Sequence, residues 1–297
     1  MVGLFMKRIF ITGGTGFIGR HIVEILKSHS DIELYILSRQ QFADTERIHY
    51  IQGNITDEQL LSSVISHVRP TTLLHLAWDV KSAGYANSMQ NEEWTEWSKD
   101  LLKTFLQYGG KTVVASGTCF EYDFSLGRPL REDDFCVPST PYGRAKLATY
   151  HVYEDLCREH NARMVWGRIF YPYGRGEEKR KLFSAVNSAL KNHTSFLCKT
   201  PENKIDYIHV CDVAKIFVAF LLDDEARGIV NVGTGKSNKI RDILMKIAQM
   251  QEKEELLQFS HNDCVYIVAD THKLSFLYNC NRFIELNEGL MYLREST

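Results

Sequence analysis

The feature that most constrains this chain lies in its first twenty-seven residues. Arg8 to Thr12 is an apolar run that reads as a buried strand, and Phe17 to Lys27 has the apolar spacing of a helix. Between them stands Thr12-Gly13-Gly14-Thr15-Gly16-Phe17-Ile18-Gly19. Gly13 permits a tight turn, Gly16 lets the backbone approach a pyrophosphate, and Gly19 lets the helix pack closely on the strand, so the helix N-terminus faces a negative charge. Gly13, Gly16, Phe17, Ile18 and Gly19 are therefore the expected contacts of a dinucleotide.

The alternation continues. Glu33 to Leu37 and Ile48 to Ile51 read as strands, Asp57 to Val68 as a helix, Thr71 to Leu76 as a strand, Glu92 to Tyr108 as a long helix and Lys111 to Ser116 as a strand. Parallel neighbours need crossover connections, so this order demands an α/β doubly wound parallel sheet with helices on both faces. A helix over Tyr142 to Glu159 follows, capped by Ser139, Thr140 and Pro141, then a strand over Met164 to Ile169. Beyond Tyr173 the alternation decays into the helix Leu182 to Lys191, the strand Tyr207 to Val210, the helix Val213 to Leu222 and an αβα tail. The expected division is a Rossmann domain over 1–172, with 207–235 returning to it, and a smaller mixed α/β substrate domain over 173–206 and 236–297.

Composition narrows the class. There are 35 Lys and Arg against 37 Asp and Glu, a net charge of −2, which argues against a nucleic-acid binder. With 44% apolar residues and only 6 prolines the chain is expected to fold. Its seven cysteines, at 119, 136, 157, 198, 211, 264 and 280, show no CxxC spacing, so reduced thiols and no metal are expected. No run approaches the length that spans a bilayer, and Lys7 and Arg8 interrupt the N-terminus, so a cytoplasmic protein without a membrane partner is expected.

Strand ends supply the remaining candidates. An acidic residue ending the second strand would hold the adenosine ribose of NAD, whereas Ser38 and Arg39 suit a 2′-phosphate and point to NADP(H), with NAD(H) as the alternative. Asn54 and Ile55 fall where the adenine edge should lie, and Leu76 and Ala77 can line the cofactor, while His75 reads as a packed strand residue. Tyr142-Gly143-Arg144-Ala145-Lys146 puts a phenol and an ammonium one helical turn apart. A nearby ammonium, joined by an oxidised nicotinamide, makes a tyrosine a usable general acid or base. Thr118 and Ser116 are both candidates for the hydroxyl that would polarise the reacting oxygen.

These residues, taken together, resemble the extended short-chain dehydrogenase/reductase superfamily of nucleotide-sugar epimerases, dehydratases and 4-keto reductases. The likeness runs through the glycine turn, Gly53-Asn54-Ile55-Thr56-Asp57, His75-Leu76-Ala77, the Tyr142/Lys146 pair, Gly167-Arg168-Ile169-Phe170-Tyr171-Pro172-Tyr173-Gly174, Asp206 to Asp212, Asn231 to Gly235 and Asp270. The family's hydroxyl stands four residues before a tyrosine; Thr118 stands four before Tyr122, so the resemblance assigns it that role, with Ser116 second. It implies that Thr118 and Tyr142 hold the sugar's C4 oxygen, that Tyr142, Lys146 and Phe170 adjoin the cofactor, and that Tyr171, Arg175 and Lys204 meet a nucleotide-diphosphate sugar. It also implies a homodimer.

Several departures matter. Ile205 stands where the family often has a phosphate-binding arginine, with Lys204 one residue earlier; Asn54 replaces an aspartate and Tyr171 an asparagine. Arg175, Lys179, Arg180 or Lys181 could bind the diphosphate instead. Thr118 is followed by Cys119 and Phe120, not by the acidic pair of the dehydratases, which disfavours dehydration, and Cys119 reads as a packed thiol. The expected activity is NADPH-dependent reduction of an NDP-4-keto-6-deoxy sugar, nearest to 4-keto reductases of the CDP-abequose-synthase type. The alternative is an NAD-dependent 4-epimerase. A non-catalytic NADP-binding regulatory protein is disfavoured because Tyr142 and Lys146 are both present.

Overall fold

The computed structural model describes residues 6–82, 84–261 and 263–295. They form two compact units. The first gathers the chain through Glu121, Cys136–Arg168 and Ala214–Val230; the second gathers Tyr122–Phe135, Ile169–Val213 and the chain from Asn231 onward. These boundaries differ from those drawn on the sequence, most plainly at Tyr122–Phe135, which lies in the second unit. Its backbone is tied there: Leu130 bridges to Ala269, and Leu130 N donates to Val268 O at 2.8 Å.

Six strands of the first unit are β1 (Lys7–Thr12), β2 (Ile32–Ser38), β3 (Ile48–Gln52), β4 (Thr72–His75), β5 (Thr112–Thr118) and β6 (Arg163–Ile169). With the strand Gly228–Val232 they make a seven-stranded sheet in the order Gly228–Val232, β6, β5, β4, β1, β2, β3. The strand order reverses at β1, between β4 and β2, which is the doubly wound Rossmann arrangement. The pairs β1–β2, β1–β4, β2–β3 and β4–β5 are parallel, with Thr12 opposite Leu37 and His75, and His75 opposite Ala115. The carboxyl ends of β1, β2, β4 and β5 therefore fall on one edge, where ligands bind in this architecture.

Four helices accompany these strands: α1 (Gly19–Leu26), α2 (Glu58–Val68), α3 (Gln90–Gln107) and α4 (Pro141–Glu159). Asp57 caps α2 by accepting from Leu60 N, and Thr140 caps α4 by accepting from Gly143 N at 3.1 Å, with Pro141 in the first turn. Phe10, Leu73, Val113, Leu101, Leu102, Phe105, Tyr153 and Trp166 are fully buried in the core of this unit. Each such side chain contributes roughly 1.5–3 kcal/mol of burial. Polar pins fix α3 against α4: Thr95 Oγ1 donates to Ala145 O at 3.2 Å, and Tyr153 OH to Ser98 O at 3.0 Å.

The second unit is built from shorter pieces, among them the helices Leu182–Lys191 and Ile240–Gln249 and the three-stranded sheet of Asn238–Lys239, Lys204–Ile205 and Tyr266–Ile267. Asp206, fully buried, gathers it by accepting from Thr234 N at 2.9 Å, Thr234 Oγ1 at 2.5 Å, Gly235 N at 2.8 Å and Ala269 N at 3.2 Å. The strand expected over Tyr207 to Val210 is only Ile208–His209, paired in parallel with Pro172–Tyr173. Val210 already begins the helix Val210–Leu222, because that pairing is two residues long and leaves it no strand partner. Among the described residues, no helix is long and apolar enough to cross a membrane. No cluster of His, Cys, Asp and Glu among them could hold a metal ion.

Candidate active site

The turn after β1 is closed by backbone alone. Gly16 N donates to Gly13 O at 3.0 Å, and Gly13 has φ +75°, a conformation L side chains rarely adopt. A Cβ on Gly13 would stand 2.7 Å from Ala77 N, and one on Gly19 would stand 2.2 Å from Gly13 O. Helix α1 opens at Gly19, with Phe17 and Ile18 still in the turn. The end of β4 is stitched to the same turn: Leu76 N donates to Thr12 O at 3.1 Å and Ala77 N to Thr12 Oγ1 at 3.3 Å. Such a cradle, with glycine at its three closest approaches and a helix start behind it, fits the pyrophosphate of a dinucleotide.

At the end of β2, Ser38 is buried and its hydroxyl accepts from Gln40 N at 3.2 Å, while Arg39 is exposed. Gly53 N donates to Ser38 O at 2.9 Å, which brings the loop carrying the exposed Asn54 beside this strand end; Ile55 is buried in the core below. Asp79 is the acidic neighbour. Burial opposes its charge, but hydrogen bonds from Ser82 Oγ, Lys81 N and Ser82 N, together with the Arg39 guanidinium, hold its carboxyl below the usual range.

Tyr142, Thr118 and Lys146 come together. Gly143 makes this possible, since a Cβ there would stand 2.1 Å from Phe120 O, so only glycine lets α4 approach the turn Cys119–Glu121. The Thr118 side chain stands beside the Tyr142 phenol and favours its charged form. Lys146 Nζ donates to Ser116 O at 2.8 Å and lies 4.0 Å above the Trp78 ring, whose edge also meets Tyr142. The Ser116 hydroxyl reaches His75 O at 3.5 Å, so of the two hydroxyl candidates Thr118 is the one that acts on the phenol. Tyr85 and Phe120 pack edge-on around the same ring at 5.2 Å and 5.9 Å.

Burial governs the protonation of these groups. It pushes the Tyr142 phenol well above its ordinary value; Tyr85 adds to this, the Thr118 side chain opposes it, and Cys119 and Glu121 add further. Burial also lowers Lys146 to about 7, against the Glu121 carboxylate, which raises it. In the protein by itself the phenol thus keeps its proton. His75, buried, is lowered to about 3 by burial and then by the Lys146 charge. Its hydrogen bonds explain the neutral ring: Ser98 Oγ donates to Trp94 O at 2.6 Å and accepts from Nε2–H at 3.0 Å, leaving Nδ1 to accept from Thr12 Oγ1 at 2.7 Å. His75 is a packed residue, as its sequence setting suggests.

Four of the expected site residues belong to the second unit. Phe170 is fully buried, packs on Tyr122 and donates from its N to Val232 O at 2.9 Å. Tyr171 is half-buried against Tyr207, Arg175 is exposed, and Lys204 is exposed at the register position opposite Lys239. Trp78, Tyr85, Gly143 and Glu121 have no place in the sequence-based site. A glycine in the first turn of a capped helix was the one signal in the chain for the close approach at Gly143.

A family described as the NAD dependent epimerase/dehydratase family matches residues 9–233. The chain is similar to the UDP-glucose 4-epimerase of Halalkalibacterium halodurans, 27% identical over 80% of this chain and 78% of that protein. It is also similar to the dTDP-4-dehydro-6-deoxyglucose reductase of Escherichia coli, 21% identical over 97% of this chain and 96% of that one. The crystal structure of the Thermotoga maritima UDP-glucose 4-epimerase with UDP-glucose has the same fold, with a TM-score of 0.82 at 22% identity, covering 97% of this chain and 99% of that one. The match spans most of the chain and takes in the glycine turn and the Tyr142/Lys146 pair: the chain belongs to the NAD dependent epimerase/dehydratase family of extended short-chain dehydrogenase/reductase enzymes.

Proposed function

We propose that this protein reduces the C4 keto group of a nucleotide-diphosphate-linked 4-keto-6-deoxy sugar with NADPH, Tyr142 donating the proton. The observation that carries the reading is the placement of Tyr142 beside Thr118 at the carboxyl end of β5, with Lys146 one turn along α4 and bonded to Ser116 O. The glycine turn over Gly13, Gly16, Phe17, Ile18 and Gly19 supports a dinucleotide there, with Arg39 and Ser38 toward its 2′-phosphate, Asn54 and Ile55 toward adenine, and Leu76, Ala77 and Phe170 along its length. Bound in that way, NADPH supplies the hydride.

The chain's own groups handle the proton. Thr118 and Tyr142 hold the C4 oxygen, and as that oxygen gains charge the Tyr142 O–H gives up its proton to it. Lys146, one turn away, stabilises the phenolate left behind. A phenol kept protonated by burial suits a donor, which is what reduction asks of it. Tyr171, Arg175 and Lys204 are assigned to the sugar nucleotide.

Arg39 in place of a carboxylate after β2, and the likeness to a reductase along nearly the whole chain, favour reduction. The likeness to UDP-glucose 4-epimerases keeps NAD-dependent C4 epimerisation as the second reading. Incubating the protein with NADPH and UDP-, dTDP- and CDP-linked 4-keto-6-deoxy sugars and, separately, with the corresponding NDP-hexoses that carry a C4 hydroxyl separates them. The proposal expects NADPH to be consumed one for one with product. Interconversion of C4 epimers without net NADPH loss would overturn it in favour of the epimerase.

A further inference from the structure

The geometry points to Glu121 as a positioning residue: its buried carboxylate, paired with Arg168, holds Thr118 at the phenol and serves as the counter-charge of Lys146. This rests on the roles proposed above for Thr118, Tyr142 and Lys146. Glu121 is 0% exposed and Arg168 is 1% exposed. Arg168 Nε donates to Glu121 Oε2 at 2.7 Å, and Trp166 Nε1 donates to both carboxylate oxygens, at 3.0 Å and 3.2 Å. Oε1 also accepts from Thr118 N at 2.8 Å. The hydroxyl that meets Tyr142 is thus carried on a backbone amide anchored to a buried charge.

The end of β5 has no slack around this anchor. A Cβ on Gly117 would stand 2.1 Å from Trp166 Nε1 and 2.7 Å from Glu121 Oε1, so the strand passes tightly beside the carboxylate. Stability alone is a weak reason for such a pair, because well-packed apolar residues usually do as well. What apolar residues could not supply is a negative charge at this place. The groups facing Glu121 are Arg168 from β6 and Tyr142, Lys146 and Tyr150 from α4, Tyr150 being bonded in turn to Glu154. His75 from β4 also feels Lys146, and Tyr85 and Cys119 also feel Tyr142. Lys146 Nζ lies 6.0 Å from the centre of the Trp166 ring, whose Nε1 is bonded to the Glu121 carboxylate, and among these groups Glu121 is the carboxylate that favours the charged lysine and the neutral phenol together.

The test is carbon-13 NMR of lysine side chains in the intact, ligand-free protein, with the Lys146 signal identified by its loss in Lys146→Met. Glu121→Gln keeps an oxygen for Thr118 N but removes the charge. Its Lys146 midpoint should fall by about one pH unit or more, and Glu121→Asp, which keeps the charge, should restore it. The alkaline limb of NADPH oxidation should move to lower pH by a similar amount. If Glu121→Gln fails to fold because it strands Arg168, the joint change Glu121→Gln with Arg168→Met leaves no orphaned charge, and a fall in the same direction but smaller is expected, because a positive charge leaves with the negative one. An unmoved or raised midpoint in a folded variant overturns the proposal, as does failure of both variants to fold, which would assign the pair to the fold alone. Full turnover by Tyr142→Phe would instead sink the proton-donor reading, and it would leave this ligand-free titration unchanged.

Discussion

The turn at Gly13 and the end of β5 stand two strands apart in one sheet, and they are built by opposite means. The first is made of backbone: amide to carbonyl, glycine against carbonyl. The second is made of buried side chains, a phenol, an ammonium, a carboxylate and a guanidinium packed among Trp78, Tyr85, Phe120 and Trp166. The comparison teaches that one region is set by shape and the other by charge. A substitution in the first should act through fit and stability, and one in the second through protonation.

The largest effect should break the chemistry and leave the shape intact. Tyr142→Phe keeps the ring among its aromatic neighbours and loses the hydroxyl, so NADPH oxidation should fall by about 10²–10⁴-fold while NADPH binding, read by fluorescence titration, is kept. The converse is Gly19→Val. Its side chain meets backbone at Gly13, so unfolding by urea should show a loss of about 1–3 kcal/mol, and dinucleotide binding should go with it.

His75 ties the two regions together, through Thr12 on one side and the Lys146 charge on the other. The unfolded chain takes up a proton on this imidazole near pH 6.5 and the folded one not until about 3. Between those values the unfolded state binds more protons, so stability falls as pH falls, by up to about 1.4 kcal/mol per pH unit. His75→Gln should flatten the loss of Tm between pH 6.5 and pH 4.5; an unchanged slope would mean that the ring is not held neutral. The smallest effect is expected at the exposed Arg39. Arg39→Ala should weaken NADPH by about tenfold and leave NADH nearly unaffected, as read by the ratio of Kd values.

How much of this was legible in the sequence divides along the same line. The cradle is local: its strand, its glycines and its helix lie within one contiguous stretch, and the cap Thr140–Pro141 likewise announces α4 beside the residues it serves. The Tyr142/Lys146 pair was readable for the same reason, as a spacing of one helical turn. Its electrical setting was not. Glu121 meets Arg168 from 47 residues away, and Trp78 comes from a different strand end to cover Lys146, so no local pattern could pair them. Aromatic residues around a phenol look the same in a sequence as aromatic residues in any core. In the second unit, strands of two or three residues such as Ile208–His209 and Lys204–Ile205 are too short for periodicity to mark, which is why Val210 reads as strand where a helix begins.

The account is tested most directly by following the hydrogen. Using NADPH deuterated at C4 of the nicotinamide on the transferred face and an NDP-4-keto-6-deoxy sugar, proton NMR and mass spectrometry of the product should find one deuterium at the sugar's C4 for each NADPH oxidised. Product carrying no deuterium at C4, or the 4-keto sugar and the labelled NADPH both left intact, would contradict it.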